Sequence, residues 1–385
     1  NMLDIGLGNG FRNKFAIAVA LKDNSKSKQL IETLYSATLL IAFSFFLAYS
    51  FIHPHLNWYR ILNISNFFDE NLSQIVYTVF GLFSLQLVLK NILTILLALQ
   101  KTALNNLINL ISSFLALILI IVWSRIGHVG LKEITLIYML STIFIDVFFT
   151  VFLFSNQLKI YSPRKLKIHR KCFSDIADLG IKFFVIQITT IIMFSSGNFL
   201  IAQLYGVSEV VPYNISYRLF SATMSLFTII LAPFWSAYTE AITKNDYSWI
   251  KESLGYLIKV YLLFVVGLLA FLLASPIIYD LWLGEKVAIP FSISASFALY
   301  VALLAWSGIF AQFLNGVGKV KIQLFIAIFQ SLSNIPIAIF LAIFLKMGIV
   351  GIILATNINL AISAVILPMQ VKRIINKNAN GLWNE

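Results

Sequence analysis

The sequence predicts an all-α polytopic membrane protein of about ten spans. Three observations carry this: 59% of the 385 residues are apolar, only 11% are charged, and the mean hydropathy is +0.88. An ordinary soluble domain is about 25% charged, and a soluble fold of this length needs more polar surface to cover its core. The apolar residues form continuous runs rather than alternating, which disfavours a transmembrane β-barrel. A soluble enzyme, a disulfide scaffold and a disordered chain are excluded by the same numbers. The lone Cys172 allows no internal disulfide and no cysteine-based metal cluster.

Taken in order, uncharged stretches long enough to cross a bilayer fall at 33–52, 72–99, 102–123, 134–156 and 181–205, then at 212–238, 256–278, 290–314, 322–345 and 348–371. The second contains Lys90, the fourth Asp146, and the sixth Arg218 near its start. Pro212 and Pro290 suit first helical turns, while Pro233 and Pro336 predict interruptions inside the sixth and ninth spans. Trp58, Trp123, Trp235 and Trp282 fall near span ends, as interfacial tryptophans do.

The net charge of +12 then becomes a statement about sidedness rather than about nucleic acid. With alternating crossings, 19 basic residues fall on one side, among them Arg164, Lys165, Lys167, Arg170 and Lys171. Five fall on the other: Arg60, Arg125, Lys132, Lys286 and Lys346. The positive-inside rule puts the first side, and with it both ends of this chain, in the cytoplasm. The remaining four, Lys90, Lys182, Arg218 and Lys259, lie within or at the edges of spans.

The basic loop around 161–175 divides the chain into 1–160, with four spans, and 176–372, with six, followed by a cytoplasmic tail at 373–385. The halves resemble each other weakly in parallel. LLALQKTALNNLINLISSFL at 96–115 matches FAQFLNGVGKVKIQLFIAIF at 310–329, and RNKFAIAVALKDNSKSKQ parallels SAYTEAITKNDYSWIKES. Two lobes related by an axis along the membrane normal would give this pattern. The first lobe would then lack two spans ahead of Asn1, and the chain would be N-terminally truncated. Within the opening stretch, Phe11, Phe15, Ala18 and Val19 follow helical spacing, with Arg12, Lys14 and Lys22 on other faces, which predicts a short interfacial amphipathic helix.

Short motifs in order along the chain now become specific. DIGLGNGFRNKFAIAVALKDNSKSKQ resembles the loop after the second helix of bacterial polysaccharide transporters, the flippases for lipid-linked O-antigen or capsule repeat units. FSSGNFLIAQLYGVSEVVPYNISYRLFS resembles that family across its seventh and eighth helices, matching at Asn198, Pro212, Tyr213, Asn214, Tyr217, Arg218 and Leu219. It departs at Gly197, where the family usually has aspartate. APFWSAYTEA at 232–241 is similar to the end of the family's eighth helix. The family belongs to the multidrug, oligosaccharidyl-lipid and polysaccharide exporter superfamily. The resemblance implies a two-lobed exporter fold of twelve helices around a central cavity, of which about ten spans are present here.

It also implies a function: translocating undecaprenyl-pyrophosphate-linked oligosaccharides across the bacterial inner membrane. The expected partners are the lipid-linked oligosaccharide, the bilayer, a coupling proton or sodium ion, and polysaccharide polymerase machinery. No cofactor or catalytic residue is expected, and no nucleic acid. A multidrug or cation antiporter of the same superfamily is the alternative, and a membrane-embedded glycan polymerase or ligase a third. The third would need a large outer loop with catalytic residues, whereas the longest outer loop offers only Arg60, Asp69, Glu70 and two histidines.

Ionisable residues at membrane depth are costly and point to function. Lys90 lies about nine residues from its span end, roughly 14 Å deep at 1.5 Å per residue, and Asp146 sits near the middle of its own span. Both are candidates for substrate binding or ion coupling, against a structural ion pair between the two helices. Arg218 offers a planar fork for phosphate oxygens, against snorkelling to the surface. Lys182, like Lys259 within a turn or so of the cytoplasmic interface, is read as snorkelling, against a role in greeting the incoming pyrophosphate. Asn198 and Asn214 are polar positions that can bond sugars or other helices, and Tyr217, Tyr213 and Trp306 can stack on sugar faces or pack. His53, His55, His128 and His169 are expected to be solvated loop residues. The sequence holds no nucleotide-binding loop, so energy would come from ion gradients or from consumption of product.

Overall fold

The computed structural model describes residues 6–61, 71–127, 130–163, 165–284 and 289–385. The expectations at Asp69, Glu70, His128, Arg164 and Lys286, and for the side chain of Arg60, lie outside the described residues. No strand occurs among the described residues. The helices are α1 (Leu7–Ala20), α2 (Asn24–Ile52), α3 (Trp58–Ile61), α4 (Leu72–Leu89), α5 (Asn91–Ala98), α6 (Thr102–Ile126) and α7 (Leu131–Ser155). They continue as α8 (Arg170–Leu204), α9 (Val210–Leu231), α10 (Phe234–Thr243), α11 (Tyr247–Leu283), α12 (Phe291–Val317), α13 (Lys321–Ile339) and α14 (Gly348–Ile375). Among the described residues, ten helices or joined helix pairs are long and apolar enough to cross a membrane, as expected.

Several boundaries differ from the expectation for physical reasons. The fifth span starts at Arg170, not 181, because the basic residues at its start continue the same helix. The second span is α4 and α5 joined at Lys90. The sixth divides at Pro233, where α9 ends and α10 begins, as the proline predicted. The ninth ends in a π-helical stretch, Phe340–Phe344, just after Pro336.

Two compact units make up the chain, Asn1–Gly180 and Ile181–Glu385. In the first, α1 packs against α2 and α5, α2 against α4, and α7 against α4 and α6. Phe11, Phe15, Leu30, Ile31, Ile92 and Ile95 form its fully buried centre. The expected interfacial helix is therefore corrected. The stripe of α1 faces the protein core rather than lipid, and Arg12 and Asn13 are buried with it. Gly10 explains how closely α1 can sit: a Cβ there would run into the backbone carbonyl of Ile176.

In the second unit α12 is the central helix, packed on α9, α10, α11 and α14, with α13 on α14. Val301, Ala305, Ile309 and Phe313 are its fully buried ridge, spaced at the helical period. By contrast α11 leaves Leu263, Leu273 and Leu281 exposed at 73%, 73% and 84%. In lipid such exposure carries no penalty, because acyl chains are as apolar as leucine.

The weak internal repeat has a backbone counterpart. Lys22 and Asn245 both adopt a left-handed φ, 57° and 59°. Each is followed by an aspartate, Asp23 or Asp246, that caps the next helix. The closing bonds also match, Asp23 N–H to Ala18 O and Asp246 N–H to Ala241 O, each 2.9 Å. The other pair of segments also ends a helix with a left-handed residue, Gln100 at φ 60° and Gly318 at φ 76°, four residues out of the register of the sequence match. Lys101 N–H then bonds Leu96 O at 2.8 Å and Lys319 N–H bonds Leu314 O at 3.0 Å. All four are helix endings closed by a six-residue backbone loop.

Candidate functional site

Buried polar side chains are costly in a membrane interior unless they find partners. Each unit gathers a group of them.

In the first unit the group lies among α2, α4, α5 and α7. Asn91 Nδ2 donates to Thr38 Oγ1 at 2.6 Å, and Gln86 Nε2 donates to the carbonyl of Met139 at 3.3 Å. Asp146 is 1% exposed, and its Oδ2 has no hydrogen-bond partner. Lys90 occupies the junction of α4 and α5, half-buried, within electrostatic reach of that carboxylate. The two make no direct salt bridge among the described residues. Tyr35 from α2 adds a buried hydroxyl beside Thr150 and within electrostatic reach of Asp146. The structure thus brings Lys90 and Asp146 into one polar cluster whose acceptor capacity is not filled. A chemically suitable occupant would be a hydrogen-bond donor or a cation.

In the second unit the group is a network centred on Asn334 of α13, a residue 1% exposed. Its Nδ2 donates to the Met193 carbonyl at 3.2 Å and to Ser196 Oγ at 3.1 Å, both on α8. Its Oδ1 accepts from Thr356 Oγ1 at 3.3 Å and from Asn359 Nδ2 at 3.2 Å, both on α14. Asn359 Oδ1 accepts in turn from Ser333, and Gln330 Nε2 donates to Asn359 O and Ser363 Oγ. Three helices are held together by neutral amides and hydroxyls.

The sequence-predicted residues of this unit are dispersed around that network. Tyr217 joins an aromatic cluster, edge-on to Phe297 at 5.9 Å and tilted to Tyr300 at 6.3 Å, with Tyr213 edge-on to Phe297 at 5.1 Å. Asn198 is half-buried on α8, with Oδ1 buried and without a hydrogen-bond partner. Beside it, a Cβ on Gly197 would lie 2.6 Å from the Tyr213 hydroxyl, so a tyrosine fills the space an aspartate would need. Asn214 and Lys182 are half-buried and Arg218 is exposed on α9. Trp306 donates to the Ala364 carbonyl at 2.9 Å and packs on Tyr261 and Phe310, so it is a packing residue in this state.

Two histidines depart from the expectation of solvated loops. His53 sits among Tyr49, Trp58 and Tyr77, with Nδ1 bonded to the Tyr49 hydroxyl at 2.8 Å and Nε2 to Ser73 Oγ at 3.0 Å. His169 contacts Glu32 at 3.1 Å. No cluster of three metal-ligating side chains occurs among the described residues. The asparagines of the ninth and tenth spans were missed in the sequence. Their signal was there: QSLSN at 330–334 and TNIN at 356–359 put amides inside otherwise apolar spans.

No family model matches the chain. It is 22% identical over 351 residues to a Yersinia pseudotuberculosis protein named "Putative O-antigen export protein", covering 86% of this chain and 76% of that one. A Salmonella typhimurium protein named "Putative O-antigen transporter" is 22% identical over 210 residues, 54% of this chain and 47% of that one. Among solved structures, a MOP superfamily transporter from Pyrococcus furiosus superposes with a TM-score of 0.84 at 16% identity, over 99% of this chain and 86% of that one. A MATE transporter in complex with MaD3S gives 0.83 at 15% identity, over 98% and 85%. The chain is therefore a multi-pass membrane protein with the fold of the MATE and MOP superfamily transporters, and by sequence a homologue of proteins named for O-antigen export.

Proposed function

We propose that this protein is a flippase for undecaprenyl-pyrophosphate-linked oligosaccharides, the repeat units of O-antigen or capsule, in the bacterial inner membrane. The observation that carries the reading is the homology over 86% of the chain to a protein named for O-antigen export. The physical task fits. A sugar and a pyrophosphate cannot enter hydrocarbon without polar partners, and a transporter supplies those partners while the isoprenoid tail stays in lipid.

On this reading the side rich in basic residues faces the cytoplasm. Lys182 and Arg218 are the cations for the pyrophosphate on its way in and out, and Asn198, Asn214 and Tyr217 meet the sugar. Lys90 and Asp146 form the ion-responsive group of the first unit: a carboxylate with a free acceptor atom beside a lysine is suited to a proton or a small cation. The two units correspond to the two lobes of an exporter, the chain passing from one to the other within α8.

The test is translocation of a lipid-linked oligosaccharide in proteoliposomes, read as the fraction of sugar protected from an external glycosidase. Loss of protection in vesicles bearing the protein, and not in empty ones, is expected. A second reading, cation-coupled drug extrusion, is favoured by the MATE neighbours. Dye efflux from the same vesicles without oligosaccharide movement would replace the first reading by the second.

A further inference from the structure

The N-terminal ends of α2 and α8 border an open cleft of about 720 Å³ in the first unit. Lys26, Lys167, Arg170 and Lys171 line it, against the carboxylates of Asp23 and Asp175. Asp23 is already engaged: its Oδ1 accepts the Lys26 backbone N–H at 2.9 Å as the cap of α2. None of the four cationic side chains has a salt-bridge partner among the described residues. The cleft therefore holds an excess of positive charge that the fold does not neutralise.

Its wall is built rather than incidental. The His169 backbone N–H donates to Thr33 Oγ1 at 3.2 Å, and His169 Nε2 lies 3.1 Å from Glu32 Oε2. These contacts pin the segment entering α8 against α2 and fix where Lys167, Arg170 and Lys171 stand. Large apolar side chains alternate with the cations in KLKIHRKCF at 165–173. Leu166, Ile168 and Phe173 are exposed at 67%, 37% and 38%. A basic loop in water has no use for three such side chains. At a membrane surface, apolar groups enter the acyl boundary while lysines and arginines meet the phosphates.

We infer that this cleft binds the phosphate-bearing headgroup of an anionic lipid from the leaflet it faces. The lysines supply point charges and Arg170 a two-pronged donor for phosphate oxygens. The apolar side chains lie alongside the acyl chains, which a free phosphate lacks. The assignment does not depend on which molecule the protein transports.

The test is calorimetric titration of the purified full chain in neutral detergent with dihexanoyl phosphatidic acid and, separately, with inorganic pyrophosphate. Two variants remove equal charge: Lys167→Gln with Lys171→Gln in the cleft, and Lys251→Gln with Lys372→Gln elsewhere on the basic side. All four side chains are exposed, so neither pair disturbs the core. The expected result is saturable lipid binding that weakens at least about tenfold in the cleft pair and less than about twofold in the other, with pyrophosphate binding far more weakly. Equal weakening in both pairs would mean diffuse surface charge and would overturn the site. Pyrophosphate binding as tightly as the lipid would overturn the lipid in favour of a free phosphate, and no saturable binding would overturn both. Because binding is measured without transport, failure here leaves the flippase reading standing, and the converse.

Discussion

Asn334→Ala is the most informative single substitution. Asn334 contributes four bonds between helices, two to α8 and two to α14, all at 3.1–3.3 Å. Hydrogen bonds between helices in a membrane average about 0.6 kcal/mol each, so losing four removes about 2 kcal/mol. The site is 1% exposed, and the vacated volume adds a cavity cost. For a unit of this size each kcal/mol moves the melting midpoint by about 2–4 °C, so a fall on the order of 5 °C is expected. The assay is thermal unfolding of the detergent-purified protein. A double-mutant cycle with Ser196→Ala should return a coupling near the value of one such bond. A midpoint within about 1 °C of the unsubstituted protein, with no coupling to Ser196, would refute the view that this network holds α8, α13 and α14 together.

Other outcomes follow from the same geometry. Gly316→Ala should destabilise by about 1–3 kcal/mol by overpacking, since its Cβ would meet Trp235 O at 2.5 Å and disturb the Thr239 bond to Gly316 O. Gly255→Ala, with nothing within 4 Å of the new Cβ, should leave the melting midpoint unchanged or raise it. Asp146→Asn and Lys90→Ala should each lower oligosaccharide translocation at least about tenfold at normal membrane abundance; full transport in the double variant would exclude both from the mechanism. Gly197→Asp should destabilise through its clash with the Tyr213 hydroxyl, and Tyr213→Phe in the same chain should recover part of the loss, as melting midpoints would show.

The fold was largely legible in the sequence, because hydropathy is summed over some twenty residues and tolerates local error. All ten spans appear, and Pro233 marked an interruption in the right place. What hydropathy cannot report is the azimuth of a helix. Phe11 and Phe15 make an apolar stripe whether it faces lipid or protein, and here it faces protein. Arg12 is buried by the same packing, though its charge suggested a surface. The candidate site was partly legible. Lys90 and Asp146 stood out as charges within apolar runs and share one cluster. Asn334, Asn357 and Asn359 carry no charge, and whether such an amide bonds within its own helix or to another depends on tertiary contacts that the sequence does not display. His169 was misjudged for a related reason: its partner Glu32 lies 137 residues away.

The most exposed leucines on α11 have a consequence for divergence. In a bilayer the neighbour of an exposed Leu263, Leu273 or Leu281 is lipid, which has no shape to match and accepts isoleucine, valine or phenylalanine alike. Those positions should drift fastest among homologues while keeping their apolar character. The buried ridge of α12, wedged among four helices, should hold side-chain volume as well as polarity. Substitution rate along these two adjacent helices would then map, residue by residue, where protein ends and bilayer begins.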